Sequence, residues 1–196
     1  RSDVLILALP RGGVPVAFEV AKELNVQMDI FLVRKLGVPG NEELAMGAIA
    51  SNDIRVLNED VVSAFHIPDR IIATVAANEL RELERREQAY RGNRPKPEIS
   101  GKTVILIDDG LATGATMRAA VAALKTKNPD KIVVAVPTAA PDTCMFFKEK
   151  VDEVICVATP EPFYGVGAWY GNFSQTTDQE VNELLDKAQK FPAKPI

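Results

Sequence analysis

The sequence predicts an α/β protein, in which a doubly wound, mostly parallel β-sheet carries helices on both faces and a small C-terminal hood. Several short segments are apolar at consecutive positions, which is typical of strands buried on both faces. They alternate with stretches whose apolar residues recur every three or four positions, as in amphipathic helices. With 196 residues, the chain has the size of one domain, in which residues 158–196 form the hood and a C-terminal helix.

In the N-terminal half, the first strand is predicted at 4–9, and Pro10-Arg11-Gly12-Gly13 ends it. A helix follows, with one apolar face formed by Val14, Ala17, Phe18, Ala21 and Leu24. A second strand is predicted at 29–33, and a loop rich in glycine at 34–47. Two short strands at 48–51 and 55–57 flank a turn at Asn52-Asp53. A long helix at 68–90 is predicted to turn its apolar residues inward, namely Ile72, Val75, Ala76, Leu80 and Leu83.

In the C-terminal half, strands are predicted at 103–107, 131–136 and 153–157. Helices are predicted at 115–125 and near 142–150. Thr177 and Glu180 have the spacing of a capping box at the start of a final helix. The apolar face of that helix is predicted to consist of Val181, Leu184, Leu185 and Ala188.

Composition narrows the class of protein. The net charge of −4 and the pI of about 5.2 argue against a nucleic-acid binder, which usually carries a basic face. No apolar run approaches the roughly 20 residues that span a bilayer. We expect Cys144 and Cys156 to be buried free thiols in a reducing cytoplasm, since no signal peptide pattern is visible. The absence of an initiator methionine leaves an upstream segment open.

The most informative segment is VILIDDGLATGAT, residues 104–116. An apolar strand ends in two carboxylates, Asp108 and Asp109, and a loop of small residues then leads into a helix. The backbone N–H groups and the dipole at a helix N-terminus favour a phosphate, and Thr113 and Thr116 add hydroxyl donors. Two carboxylates beside a phosphate would repel it unless they faced hydroxyls or a divalent cation. A sugar phosphate satisfies both requirements.

The common nucleotide-binding motifs do not match this segment. The Walker motif needs a lysine in the loop, and the chain has none between Asp108 and Lys125. The glycine pattern of dinucleotide-binding proteins is also absent. If the segment were only an ordinary turn followed by a helix cap, nothing would explain why two acidic residues are adjacent in it.

Residues 104–116 resemble the signature of type I phosphoribosyltransferases, which bind phosphoribosyl pyrophosphate (PRPP). The resemblance implies that Asp108 and Asp109 hold the ribose hydroxyls and have a catalytic role. It implies that the 5′-phosphate is bound by the loop and helix start, namely Ala112, Thr113, Gly114, Ala115 and Thr116. Mg²⁺ is the implied cofactor; it bridges pyrophosphate and ribose oxygens, and Asp108 and Asp109 lie near it, directly or through water.

Two further segments resemble the same family. Residues 7–13, which include Arg11, Gly12 and Gly13, are similar to its pyrophosphate loop, and this implies a cis peptide bond between Pro10 and Arg11. Arg34 and Lys35 are similar to a cationic pair that serves the pyrophosphate and contributes to catalysis. The stretch 36–47 that follows is expected to be a mobile flap that excludes water.

The acceptor remains open. Hypoxanthine- and xanthine-type members carry an Asp where this chain has Ala112, as adenine-type members do, whereas residues 10–13 resemble the xanthine–guanine type. Five aromatic residues crowd into 163–173, and either a hood packed on the sheet or a wall for a nucleobase would explain them. The hood is the preferred interpretation, and Phe163, Tyr164 and Trp169 are the candidate base contacts. His66 is expected at the surface.

The resemblance implies an enzyme that displaces pyrophosphate from PRPP with a nitrogenous base and forms a nucleoside 5′-monophosphate. Its partners would be PRPP and the base, without membrane or nucleic acid, and self-association into a homo-oligomer stays open. The alternative is a non-catalytic regulatory module that binds PRPP or a nucleotide. A hydrolase of phosphorylated sugars is disfavoured because the chain lacks a D-x-D nucleophile motif.

Overall fold

A computed structural model describes residues 3–51, 54–92 and 94–191. The strands are β1 (Val4–Ala8), β2 (Gln27–Ile30), β3 (Val33–Val38), β4 (Asn41–Ala50), β5 (Ile54–Leu57), β6 (Thr103–Ile107), β7 (Lys131–Thr138) and β8 (Glu153–Ala158). The helices are α1 (Gly13–Leu24), α2 (Glu59–Ala64), α3 (Asp69–Arg91), α4 (Ala115–Lys125), α5 (Pro141–Lys148) and α6 (Asp178–Ala188), with a 3₁₀ helix at Val166–Trp169.

A five-stranded parallel sheet forms the centre, in the order β2-β1-β6-β7-β8. The register aligns Ile6 of β1 with Met28 of β2 on one side and with Ile105 of β6 on the other. Because all five strands run the same way, their carboxyl ends meet at one edge of the sheet. Ligands of open α/β sheets bind at that edge, and the segments after β1 and β6 both begin there.

Two apolar cores lie on opposite faces of the sheet, and the alternation along β1 separates them. Ile6 and Ala8 belong to a core shared with α1, α3 and α6. Leu5 and Leu7 belong to a second core, which α4 and α5 close with residues such as Met117, Val121 and Phe147. Helices therefore cover both faces, and the doubly wound α/β class is confirmed.

The prediction of a loop at 34–47 is wrong, because these residues form most of a β-hairpin. β3 and β4 pair antiparallel, with Lys35 opposite Ala48, and β5 adds a third strand. Leu36 and Met46 are fully buried in the core on the α1 face, which explains why a glycine-rich stretch is extended rather than irregular. Gly40 supplies the left-handed conformation of the turn, with a φ of 83°. The predicted turn at Asn52-Asp53 lies outside the described residues.

The long helix is confirmed as α3, although one of its predicted inward residues is not buried. Ile72, Ala76 and Leu83 are buried, whereas Leu80 is 40% exposed. Glu79, one position earlier, turns toward the hairpin instead. There its carboxylate contacts Arg34 at 2.6 Å, so an ion pair occupies the place where an apolar contact was expected.

Arg91, at the end of α3, is buried against the sheet. Its guanidinium donates to the carboxylate of Asp29 in β2 at 2.5 Å, and its side chain is 5% exposed. Burial raises the pKa of Asp29, while the charge of Arg91 opposes that shift. The pair therefore ties the last turn of the longest helix to the edge strand β2.

The cysteines depart from the prediction of free thiols. Cys144 of α5 and Cys156 of β8 form a disulfide, with their Cα atoms 6.6 Å apart. Each residue belongs to an apolar segment, as the sequence indicated, but the fold brings the two segments side by side. The structure thus corrects the prediction through a contact between elements that are separate along the chain.

An irregular stretch after β8 crosses the carboxyl edge of the sheet before α6 returns to pack on α1 and α3. Thr177 and Glu180 form the predicted capping box at the start of α6. Val181, Leu185 and Ala188 are buried, and Leu184 is partly buried. Within the part of the chain that is described, no helix is long and apolar enough to cross a membrane.

Candidate functional site

Two acidic side chains follow β6 directly. The backbone N–H of Asp109 donates to Oδ1 of Asp108 at 2.9 Å. Burial, and then the neighbouring charge of Asp109, raise the pKa of Asp108 to about 7. Burial also raises the pKa of Asp109. Such a pair is stabilised by groups that donate hydrogen bonds, such as ribose hydroxyls, or by positive charge, such as a divalent cation.

The loop after β1 lies against this acid pair because it contains glycine. A Cβ atom on Gly12 would lie 1.9 Å from Oδ2 of Asp109, and one on Gly13 would lie 2.6 Å from the carbonyl oxygen of Ile107. The peptide bond between Pro10 and Arg11 is cis, as expected. The loop therefore approaches the second acid more closely than any residue with a side chain would allow.

The segment 110–114, called the phosphate loop below, leads from the acid pair into α4. Gly114 precedes α4 in the left-handed conformation, with a φ of 70°, and this N-cap glycine has no side chain that could accept from the first turn. Thr113 accepts a long hydrogen bond of 3.4 Å from the N–H of Ala115. The N–H groups of the first turn are thus directed toward the loop, as in helix N-termini that bind phosphate.

Helix α5 packs against the phosphate loop. The hydroxyl of Thr143 donates to the carbonyl of Ala112 at 2.6 Å. A Cβ atom on Gly114 would lie 2.8 Å from Thr143 and 2.9 Å from the ring of Phe147. The shape of the loop therefore depends on a glycine at 114 and on the position of α5.

Arg11 lies beside the acid pair, and a short network fixes its surroundings. Its guanidinium is 3.5 Å from the carboxylate of Asp178, the first residue of α6. The hydroxyl of Tyr90 donates to the same carboxylate at 2.6 Å. Burial, and then this hydrogen bond to Asp178, raise the pKa of Tyr90 to about 12. The C-terminal helix is thereby linked to the loop after β1.

The other two predicted cations, Arg34 and Lys35, lie on β3 and line other cavities. Arg34 pairs with Glu79 and lines a cavity of about 530 Å³ between the hairpin and α3. It also lines a small cleft shared with Pro10, in the loop after β1, and with Thr116, in the first turn of α4. Lys35 lines the first cavity and a second one between the hairpin and α4. The structure therefore brings Arg11 to the acid pair, but neither Arg34 nor Lys35 shares the cavity that Asp109 lines.

A cavity at the carboxyl edge has a volume of about 570 Å³. Its floor includes Arg11, Gly12 and Asp109, and its wall is the segment 170–176. The hydroxyl of Tyr170 donates to the backbone carbonyl of Asp109 at 2.6 Å. The ring of Phe173 lies 5.1 Å from that of Tyr170. The hood is thus fastened to the acid pair through a tyrosine.

The candidate base contacts Phe163, Tyr164 and Trp169 do not line this cavity. Tyr164 is 81% exposed, whereas Tyr170 and Phe173 of the same cluster form the wall. The aromatic cluster marks the segment that contains part of the cavity wall. Because the stretch is irregular, no periodic pattern in the sequence shows which of its aromatic residues face the cavity. His66 is exposed between α2 and α3, as expected.

The acid pair fits a magnesium ion that shares its shell with a substrate. Among residues 3–51, 54–92 and 94–191, no group of three or more His, Cys, Asp or Glu could hold a metal by itself. Mg²⁺ commonly takes one or two carboxylates and completes its shell with water and phosphate oxygens. Asp108 and Asp109 supply the hard oxygen donors of such a site.

Comparison with known proteins identifies sequences and structures that this chain resembles. The family model described as phosphoribosyl transferase domain matches residues 1–166. Curated proteins from two strains of Mycobacterium tuberculosis, provisionally named phosphoribosyl transferases, are 46% identical over 187 residues, or 95% of this chain. The chain spans 42% of the length of these relatives. A crystal structure of a protein from Thermus thermophilus matches with a TM-score of 0.86 and 39% identity, covering 94% of this chain and 88% of that one.

Proposed function

The chain belongs to the phosphoribosyl transferase family, and from this premise we propose that it is a Mg²⁺-dependent enzyme. It transfers the phosphoribosyl group of PRPP to a nitrogenous base, releases pyrophosphate and forms a nucleoside 5′-monophosphate. One observation carries the proposal: the acid pair lies between a glycine loop and a helix N-terminus whose N-cap is a glycine, at the carboxyl edge of the sheet. This arrangement offers separate positions for a diol, a phosphate and a leaving anion.

Binding begins with the 5′-phosphate, which we assign to Ala112, Thr113, Gly114, Ala115 and Thr116. The N–H groups of the first turn of α4 and the threonine hydroxyls donate to its oxygens, and the helix dipole favours its charge. Asp108 and Asp109 accept hydrogen bonds from the ribose hydroxyls. The sugar is then held at two points, which directs its C1 atom toward the cavity beside Gly12.

The leaving pyrophosphate is assigned to the loop of Arg11, Gly12 and Gly13. Arg11 and Gly12 line the cavity beside Asp109, and Arg11 adds a positive charge. Gly13 is buried, and its N–H donates to the carbonyl of Leu9 at 3.1 Å, which holds the shape of the loop. Charge develops on the pyrophosphate as its bond to C1 breaks, so fixed donors at that position stabilise the transition state. Mg²⁺, when bound by Asp108 and Asp109 together with substrate oxygens, supplies further positive charge to the leaving group.

Arg34 and Lys35 are proposed as additional catalytic cations. Arg34 borders the cleft next to Pro10 and Thr116, so a shift of the β3–β4 hairpin would direct its side chain toward the pyrophosphate. Such a shift requires Arg34 to leave Glu79. The hairpin is thus the part of the chain that we expect to move as a flap over bound PRPP, and residues 36–47 form most of it.

A regulatory module that binds PRPP or a nucleotide without turnover is the second candidate. The observation that favours it is the ion pair between Arg34 and Glu79, which engages a predicted catalytic cation away from the acid pair. A sensor requires only the phosphate loop and Asp108 and Asp109. Cytoplasmic location, self-association and the base itself stay predictions.

The test is pyrophosphate release from PRPP with Mg²⁺, measured over a panel of purines, pyrimidines and small amines. An enzyme releases pyrophosphate faster with at least one of these acceptors. The variant Lys35→Ala should lower kcat more than it weakens binding of a nucleoside monophosphate, and Lys22→Ala on the exposed face of α1 serves as the matched control. If no acceptor stimulates release while PRPP still binds, the regulatory function replaces the catalytic one.

A further inference from the structure

The disulfide lies next to the contacts that hold the phosphate loop. Cys144 and Cys156 are the two cysteines of the chain. Thr143, which precedes Cys144, donates to the carbonyl of Ala112 at 2.6 Å. We propose that this cysteine pair is a reversible thiol-oxidation site, which sets how firmly the loop is held and thereby how tightly it binds a 5′-phosphate.

Three contacts connect α5 with the phosphate loop. The N–H of Ala140, which caps α5, donates to the carbonyl of Leu111 at 2.8 Å. Thr143 contacts Ala112 as described, and Phe147 packs where a Cβ atom on Gly114 would be. All three come from a stretch of eight positions that contains Cys144. A displacement of α5 is therefore transmitted directly to the loop.

The helix α5 is short. It spans eight residues, a length at which isolated helices are marginal in water. On its outer side, Met145 is 60% exposed, and the strand to which it is linked, β8, lies at the edge of the sheet. Its buried residues are Thr143, Cys144 and Phe147, and the guanidinium of Arg118 in α4 lies 3.5 Å from the centre of the Phe146 ring. The disulfide is thus a covalent attachment of a short helix to an edge strand, and its loss should increase the local opening of α5.

The exchange reaction balances with a thiol reductant. Cys144 is 5% exposed, whereas Cys156 is only half-buried, so an incoming thiolate attacks Sγ of Cys156. The S–S bond breaks, its electron pair leaves on Sγ of Cys144, and that sulfur takes a proton from water. A second reductant thiol then displaces Cys156 and leaves the reductant as a disulfide. Oxidation by a small disulfide such as oxidised glutathione reverses both steps.

This chemistry is consistent with the predicted cytoplasmic location. Disulfides in a reducing cytoplasm are usually transient, and they serve catalysis or redox sensing rather than permanent stability. If the cysteine pair is reduced under ordinary conditions, the affinity of the loop for a 5′-phosphate is low. Oxidation of the pair under stress would raise that affinity. The regulated ligand follows from the proposed function, whereas the link between the cysteines and the loop follows from the contacts alone.

The experiment compares the full chain after equilibration with oxidised or reduced glutathione. Calorimetry with ribose 5-phosphate should show binding about fivefold or more tighter for the oxidised protein, which corresponds to a modest coupling between sites. The double variant Cys144→Ala/Cys156→Ala is the control, and its affinity should match the reduced protein in both buffers. Alkylation and mass spectrometry verify the state of the cysteines.

Equal affinities in the two states would overturn the proposal, as would two free thiols under oxidising conditions. Hydrogen exchange of the amides at 111–116 keeps the test independent of the proposed function. If ribose 5-phosphate binds neither form, the proposed function fails. Faster exchange on reduction still supports the link between the cysteines and the loop, and unchanged exchange refutes it.

Discussion

The substitution Gly12→Ala tests whether Asp109 binds the sugar. Gly12 has a φ of −60° and a ψ of −32°, which alanine adopts without strain. The added Cβ would lie 1.9 Å from Oδ2 of Asp109, and the carboxylate would have to withdraw by about 1.1 Å to reach the shortest separation that real Cβ atoms show, 3.0 Å. A hydrogen bond to a ribose hydroxyl would not survive a displacement of that size.

The expected loss is that of one hydrogen bond to a charged group, about 1.5–3 kcal/mol. Such a loss weakens binding roughly 10- to 100-fold. Calorimetry with ribose 5-phosphate measures it, and thermal unfolding checks that the variant remains folded. Gly171→Ala, in open space within the hood segment, is the control that should bind as the wild type does. Wild-type affinity in a folded Gly12→Ala protein would refute the role of Asp109.

Three further predictions concern stability. Burial raises the pKa of Asp108 to about 7, so the folded ligand-free protein keeps a proton on this carboxyl group that the unfolded chain releases near pH 4. The free energy of unfolding should therefore fall as the pH rises from 4 to 7. The variant Asp108→Asn should flatten that part of the pH profile. Tyr170→Phe removes the hydrogen bond between hood and acid pair and should cost about 1 kcal/mol in urea unfolding, whereas Tyr164→Phe at an exposed ring should cost nothing measurable. Arg91→Ala leaves a buried carboxylate without its partner and should cost about 3–5 kcal/mol, while equal melting temperatures for this variant and the exposed Arg85→Ala would show that the buried pair contributes nothing.

The parts of the site that follow a buried strand could be predicted from the sequence. β6 and α4 have the bounds that the apolar pattern predicted, so Asp108 and Asp109 had to lie at the carboxyl edge. The cis bond at Pro10 and the capping box at Thr177 were also predicted correctly. In each case, the deciding interactions join residues close together in the chain or follow from a motif.

The hairpin could not be predicted in the same way. Gly37, Pro39 and Gly40 indicated a loop, but Leu36 and Met46 are buried by elements that lie elsewhere in the chain. Tertiary burial outweighs a weak local preference for turns. Once the hairpin is extended, Arg34 reaches Glu79 of α3, a contact across 45 residues that no local pattern shows.

The sequence alone determined the layered sheet, the position of the acid pair and the helix N-terminus beside it. These features depend on apolar periodicity and on backbone geometry over a few residues, which are properties of short segments. Only the tertiary structure decided that Tyr170 rather than Trp169 reaches Asp109, and that Cys144 bonds to Cys156. Those contacts depend on the distance and orientation between elements. Both are set by the packing of the two apolar cores against the sheet and by the path of the irregular segments over its carboxyl edge.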